Sequence, residues 1–218
     1  MPSVSYTLAI VDLTAPLAQY EQRLSKDTRK KIRQARKKEV YVVEIDKNNS
    51  ALLAECQTLI KRHLAFIEIP YDQFYKNIVT DSMAIGYGAM QNGQLLSCYF
   101  VTKERASDIG PGDIAVGRAF AWDNNYPNER ANYLLFWEMF LDLRAKGFSH
   151  FNFGLLQYMG CPDPALASVA KFKQQWGLRE VTRTDYFSWP KFLYYRFLKR
   201  FHLVRKAFYF FKIKYSQS

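Results

Sequence analysis

The sequence predicts an α/β fold in which helices flank a mixed central sheet. Strand-like and helix-like segments alternate along most of the 218 residues. Between two β-rich runs in the middle of that order stands Asn92-Gly93, a pair that readily adopts the positive φ angles of a tight hairpin turn. A purely parallel, doubly wound sheet would have no antiparallel hairpin at its centre, so a mixed sheet is expected.

Strands are expected where β-branched and aromatic residues form short runs: 7–14, 40–46, the two hairpin arms within 83–103, 114–123, 148–154 and 178–189. Helices are expected where apolar residues recur at three- and four-residue spacing: 17–35 with a break near Ser25, 50–66, 71–80, 131–146, and a segment that opens just after Pro164. Gly147 is expected to end the helix 131–146 with a left-handed cap.

The composition predicts a folded globule in a reducing compartment. Hydrophobic residues make up 49% of the chain and aromatic residues 17%, which argues against a disordered protein. Cys56, Cys98 and Cys161 have unrelated spacings, so neither a disulfide framework nor a zinc site is expected. The sequence has no leader-like segment and no apolar run long enough to cross a bilayer. A cytoplasmic protein is therefore expected.

Positive charge is concentrated at the two ends of the chain. The net charge is +11, and residues 23–38 hold nine Lys or Arg against Asp27 alone, while 186–218 hold eight and no acid. This asymmetry favours anionic partners for both ends, such as RNA phosphates, a nucleotide cofactor or a lipid headgroup. Solvated helix faces would explain the same charges.

The last segment, 190–218, is expected to be a basic amphipathic helix appended to a domain over 1–189. One side would be apolar, and the other would present Arg196, Lys199, Arg200 and Lys206. A basic, aromatic-rich helix without acids suits the surface of an anionic membrane, here the inner face. A helix that docks on protein is the alternative, and the oligomeric state is left open.

Four segments resemble one family when they are taken in order. They are LSKDTRKKIRQARKKEV, FAWDNNYP, ANYLLFWEMFLDLRAKGFSHFNFG and FKQQWG, within a match over about 7 to 187. The chain resembles single-domain acyltransferases of the FemAB branch with a GNAT-like fold, which belong to cell-envelope and polysaccharide pathways. The common GNAT pyrophosphate loop is absent, as it generally is in the FemAB branch, so the sequence does not indicate whether CoA is the carrier. Asn152 stands where relatives usually have Asp.

The resemblance implies an acyltransferase that acts on an amine. An acetyl, fatty acyl or aminoacyl group would move from acyl-CoA, acyl carrier protein or aminoacyl-tRNA to an envelope, sugar or lipid acceptor. tRNA is thus one candidate partner, and no metal is expected. Two alternatives stay open: a basic module that binds RNA or other nucleic acid through residues 23–38 and the tail, and a non-catalytic GNAT-like protein that anchors a partner at the membrane.

Asp123 is the leading catalytic candidate. It ends the strand FAWD, matches an acidic position of the family and could orient or deprotonate the amine. The alternative is a cap for the following turn. Arg118, on the same strand, could bind an anion through its forked donors, and an ion pair within the fold is the alternative.

Lys173 is expected to face a phosphate or carboxylate where FKQQWG borders the carrier or acceptor site. The resemblance places further residues at that site: Trp122, Asn152 and Trp176. Packing of the helix against the sheet also explains Trp176. The histidines, His63, His150 and His202, are isolated and form no metal-binding pattern. Hydrolase and metalloenzyme functions therefore have little support.

Overall fold

The computed structural model describes residues 3–67, 71–105, 109–158, 164–186 and 189. Its strands are β1 Ser3–Asp12, β2 Tyr41–Glu44, β3 Ile85–Gln91, β4 Gln94–Arg105, β5 Asp113–Trp122, β6 His150–Tyr158 and β7 Arg179–Tyr186. Its helices are α1 Leu17–Arg23, α2 Lys26–Lys37, α3 Ser50–Phe66, α4 Gln73–Thr80, α5 Ala131–Ala145 and α6 Pro164–Gln174, with a 3-10 turn over Pro127–Glu129.

The strands form one mixed sheet in the order β2-β3-β4-β5-β6-β1-β7. Neighbours from β2 to β5 are antiparallel, and so are β1 and β7. The predicted α/β class with a mixed sheet is therefore confirmed. The chain divides into two compact units: residues 12–151, and residues 1–11 together with 152–218.

Local sequence signals explain where several elements begin and end. Ser25 caps α2 because its hydroxyl accepts a hydrogen bond from the Thr28 amide at 3.0 Å, which confirms the predicted break between α1 and α2. Asn92 and Gly93 have φ angles of 49° and 78°, as the hairpin turn requires. Gly147 follows α5 with a φ of 84°.

In the unit 12–151, helices cover both faces of β2 to β5. Alternate strand residues point to opposite faces. Cys98 and Phe100 pack in a buried cluster with α3 and α4, while the Tyr99 ring lies 5.2 Å from Phe136 of α5. Nine residues of α5 are buried, including Leu135, Met139 and Leu143, so this helix is enclosed on most sides.

Two buried thiols meet between α3 and β4. Cys56 and Cys98 are both inaccessible and both free. A hydrogen bond between Cys98 and Cys56, together with burial, raises the pKa of Cys98 well above its usual value. The Cys98 thiol therefore stays neutral, and both buried side chains pack as small apolar groups.

In the unit of 1–11 and 152–218, β1 pairs with β7 from Ser3 opposite Tyr186 to Ile10 opposite Arg179. The hydroxyls of Ser5 and Thr184 hydrogen bond across this ladder at 2.8 Å. The predicted helix over 190–218, with Arg196, Lys199, Arg200 and Lys206, lies outside the described residues, as does Cys161. The boundary at residue 189 stays a prediction.

Candidate functional site

Asp123 directly follows β5 and is only 5% exposed. Its Oδ2 atom forms an ion pair with Nη1 of Arg62 at 2.9 Å, and its Oδ1 atom accepts the Asn125 amide at 3.0 Å. Its own amide donates to the Leu96 carbonyl at 2.8 Å. Both carboxylate oxygens are thus engaged, so the side chain fixes the turn and orients an arginine. The predicted capping role is observed, and the catalytic role stays a prediction.

Arg62 is a residue that the sequence did not single out. It lies on α3, its side chain is 55% exposed, and only one of its nitrogens contacts Asp123. A hollow of about 330 Å³ lies beside the pair, and its lining includes Thr58, Glu55 and Gln94. A guanidinium has five donors, so Arg62 retains donors for an anionic group. No sequence signal links it to an aspartate 61 residues away.

Trp122 is half-buried and lies next to His63 of α3. The His63 ring is 6.3 Å from the Trp122 ring and 6.0 Å from the Phe120 ring. Burial lowers the pKa of His63, although a hydrogen bond to the Trp122 backbone opposes this effect. Within the described ranges, Nδ1 of His63 is buried without a hydrogen-bond partner. The imidazole is therefore held neutral among aromatic rings.

The guanidinium of Arg118 is engaged by two side chains of the adjacent strand. Its Nε donates to the Thr102 hydroxyl at 2.8 Å, and its Nη2 forms an ion pair with Glu104. Thr102 and Glu104 both lie on β4, so Arg118 bridges two residues of the adjacent strand. The internal ion pair named as the alternative is what the structure shows. Anion binding by Arg118 stays a prediction.

Lys173, on α6, lies against the bend of β6 at Gly154. Its Nζ donates to the Leu155 carbonyl at 2.8 Å, and a β-carbon built on Gly154 would lie 4.0 Å from that nitrogen. Burial lowers the pKa of Lys173 to about 8. The buried Asn152 accepts the Gly154 amide through Oδ1 at 2.7 Å. The structure thus brings Asn152 and Lys173 to one bend, and their shared role in binding a ligand stays a prediction.

Trp176 anchors the end of α6. It is fully buried, and its ring lies 6.1 Å from Phe172 in an edge-to-face arrangement. Gly177 follows with a φ of 63°, which turns the chain towards β7. These contacts hold the helical turn that carries Lys173. Trp176 therefore has a clear packing role, and contact with a ligand stays a prediction.

The described ranges contain neither a metal-binding cluster nor a helix that could span a membrane. Those residues contain no group of three or more His, Cys, Asp or Glu that could hold a metal ion. Among the helices in the described ranges, none is both long enough and apolar enough to cross a bilayer.

Comparison with known proteins identifies the fold. No protein-family model matches the chain, and no curated protein matches it in sequence. The crystal structure of FemX matches with a TM-score of 0.64 at 13% identity, covering 85% of this chain and 63% of FemX. L-PGS from Bacillus licheniformis matches with a TM-score of 0.65 at 13% identity, covering 94% of this chain and 66% of that one.

A third structure is the C-terminal domain of a protein described as a lysylphosphatidylglycerol synthetase, from Agrobacterium fabrum. It matches with a TM-score of 0.60 at 15% identity, covering 84% of this chain and 60% of that one. The chain thus spans between 60% and 66% of these three solved chains. At such identities the likeness concerns the fold. It confirms the expected fold: a GNAT-like α/β fold similar to that of FemX.

Proposed function

We propose that this protein is an N-acyltransferase that moves an acyl or aminoacyl group from an activated carrier to an amine. The main supporting observation is Lys173, a largely buried lysine with a pKa of about 8 at the bend of β6. A lysine whose pKa is lowered by burial, close to a strand bend, is typical of a functional site. The fold likeness to FemX and to L-PGS supports the same reaction class.

In the proposed reaction, the amine nitrogen of the acceptor attacks the carbonyl carbon of the acyl group. A C–N bond forms, the carbonyl oxygen becomes an oxyanion, and the bond from carbon to the carrier's sulfur or oxygen then breaks. The leaving carrier takes up the proton that the amine loses. The Lys173 ammonium would stabilise the oxyanion, because a fixed cation in a partly buried site interacts strongly with developing negative charge. At pH 7, a pKa of about 8 leaves roughly nine tenths of this group protonated.

Asp123 and Arg62 would bind and orient rather than transfer protons. Both oxygens of Asp123 are engaged, so its role in the proposal is to hold the Arg62 guanidinium at the edge of the adjacent hollow. The free donors of Arg62 would meet a phosphate or carboxylate of the carrier or the acceptor. Neutral Asn152 can still supply an amide oxygen at the bend, where relatives have an acid.

The proposed carrier is acyl-CoA, an acyl carrier protein or aminoacyl-tRNA, and the proposed acceptor is an amine of a cell-envelope, sugar or lipid molecule. The name of the Agrobacterium fabrum protein specifies a lysylated lipid, which favours a lipid-linked acceptor here. We further propose a peripheral location on the inner face of the membrane, since the basic segment 190–218 contains no acid.

The test is transfer of a labelled acyl group by the purified full chain. Labelled acetyl-CoA, fatty acyl-CoA, acyl carrier protein and aminoacyl-tRNA are each incubated with amino sugars, amino acids and amine-bearing lipids. With an active pair, Lys173→Ala is expected to lower kcat by about 100-fold to 1,000-fold, as loss of an oxyanion donor does. Lys171→Ala, on the same helix and exposed, is the matched control and should retain activity.

Two outcomes would overturn the proposal. One is the absence of transfer from every carrier. The other is a Lys173→Ala variant that is as active as the Lys171→Ala control, because the oxyanion would then have another donor.

A further inference from the structure

One face of helix α2 packs against the rest of the unit 12–151. Thr28, Ile32 and Ala35 are buried on that face. Lys31 adds a hydrogen bond to the Tyr133 hydroxyl at 3.0 Å and lies 4.6 Å from the centre of its ring. The orientation of the helix is therefore fixed, and its other face is presented to solvent in one arrangement.

Only part of the positive charge of this helix is neutralised locally. Lys31 pairs with Asp27, Arg36 with Glu138 and Lys38 with Glu129. Five exposed cations remain, and none has an ion pair within the described residues: Lys26, Arg29, Lys30, Arg33 and Lys37. We call these five residues the basic face of α2. Its members follow three- and four-residue spacing, so they line one side of the helix over about 16 Å.

An apolar groove runs beside the basic face. It has a volume of about 340 Å³, and its apolar lining comprises Leu17, Leu24, Ile32, Trp137 and Leu141. Three arginines border it, Arg29, Arg33 and Arg36, against one acid, Glu21. Leu17, at the start of α1, is 41% exposed. Guanidinium groups beside a hollow with an exposed leucine at its edge match the chemistry of an anionic amphiphile.

We propose that the basic face of α2 and this groove dock on an anionic lipid bilayer. A plane of phosphate headgroups can contact all five cations at once because they share one side of a straight helix. The groove would accept an apolar group of a lipid, at the same depth in the bilayer as the Leu17 side chain. RNA is the other polyanion to consider, but sequence-independent binding of single-stranded RNA uses exposed aromatic rings for stacking. Trp137, the aromatic residue in the lining of this groove, is 5% exposed, which favours the bilayer.

The inference does not depend on the acyl-transfer proposal, because vesicle binding is measured without a carrier or an acceptor. The full chain is titrated with vesicles of phosphatidylglycerol and phosphatidylcholine in equal parts, and with phosphatidylcholine alone. Arg29→Gln/Arg33→Gln is compared with Lys61→Gln/Lys76→Gln, which removes two exposed cations from α3 and α4. The segment 190–218 is present in both, so any affinity that it contributes is common to the two variants.

The α2 variant is expected to bind the anionic vesicles about 30-fold more weakly than the wild type, at roughly 1 kcal/mol for each basic residue at the surface. The control variant should change by less than about 3-fold. Leu17→Asn should weaken binding by about 5-fold at both low and high salt, since its contribution is apolar.

Three results would overturn the proposal. The first is an equal loss of vesicle affinity in the α2 and control variants, and the second is no loss of vesicle affinity in either. The third is tighter binding to total tRNA than to vesicles, together with an α2 variant that weakens only the binding of tRNA. Circular dichroism melting curves verify that the variants are folded, as expected for exposed positions.

Discussion

Lys173 is predicted to titrate near pH 8 in the folded protein. Burial lowers the pKa from 10.5 to about 8, so about half of the side chains are neutral at pH 8. An unperturbed lysine would be neutral in only about one molecule in three hundred at that pH. Between pH 8 and pH 9 the protonated fraction should fall from about one half to about one tenth, and activity that depends on the ammonium should fall about 5-fold.

The pKa can be measured without knowing the substrates. Lysine amines are labelled with 13C-methyl groups by reductive methylation, and their NMR signals are followed from pH 6 to pH 11. The signal that is missing from Lys173→Arg belongs to Lys173. Lys173→Arg should also remove the alkaline fall in activity, because a guanidinium stays charged over this range. A Lys173 signal that titrates above pH 10 would refute the reasoning.

The same shift predicts how stability depends on pH. The folded state binds fewer protons at Lys173 than the unfolded state between about pH 8 and pH 10.5, so the free energy of unfolding should rise with pH in that window. Lys173→Met should flatten this part of the curve. Urea unfolding at a series of pH values is the measurement.

Three further predictions concern the unit 12–151. Arg62→Met leaves the 5%-exposed carboxylate of Asp123 without its cation and should lower the free energy of unfolding by about 1 to 3 kcal/mol in urea titrations. Gly86→Ala would place a β-carbon 2.7 Å from Phe100 and should cost about 1 to 3 kcal/mol, measured in the same way. His63 has a lowered pKa in the folded state, so stability should be lost as pH falls through 6.5, and His63→Gln should reduce that slope.

The Arg62 and Gly86 predictions each have a matched control. Arg105→Met removes an arginine whose side chain is 87% exposed beside Asp113, and should change stability by less than about 0.5 kcal/mol. At Gly93 no atom lies within 4 Å of an added β-carbon, so Gly93→Asn should be tolerated despite the positive φ. The explanations fail if Arg62→Met or Gly86→Ala lowers the free energy of unfolding by no more than its control does. For His63, an unchanged acid slope in the Gln variant contradicts the assignment.

Local chemistry made most of the elements predictable. The helix 50–66 was predicted with the bounds that α3 has, and Asn49 caps it by accepting the Leu52 amide at 3.0 Å. The helix predicted from residue 71 begins two residues later, because Asp72 caps α4 by accepting the Phe74 amide. Where neighbouring residues form a cap or a hairpin turn, the sequence is sufficient to predict where the element begins or ends.

The predicted strand 148–154 was too short, because β6 extends to Tyr158. Gly154 resembled a strand end, yet the strand passes through it with a φ of 80°, and this bend is where Lys173 contacts Leu155. Sequence reasoning selected Lys173 from its motif, but its burial depends on tertiary packing. The pairing of Arg62 with Asp123 is also tertiary, which is why no sequence pattern revealed it.

The two thiols between α3 and β4 can report how often the protein opens locally. Cys56 and Cys98 are both inaccessible to solvent, so a reagent in solution cannot reach either sulfur in the closed structure. An alkylating reagent can therefore modify them only when α3 separates from β4. In a Cys161→Ser background, the rate of modification gives the frequency of that separation under native conditions, without any denaturant.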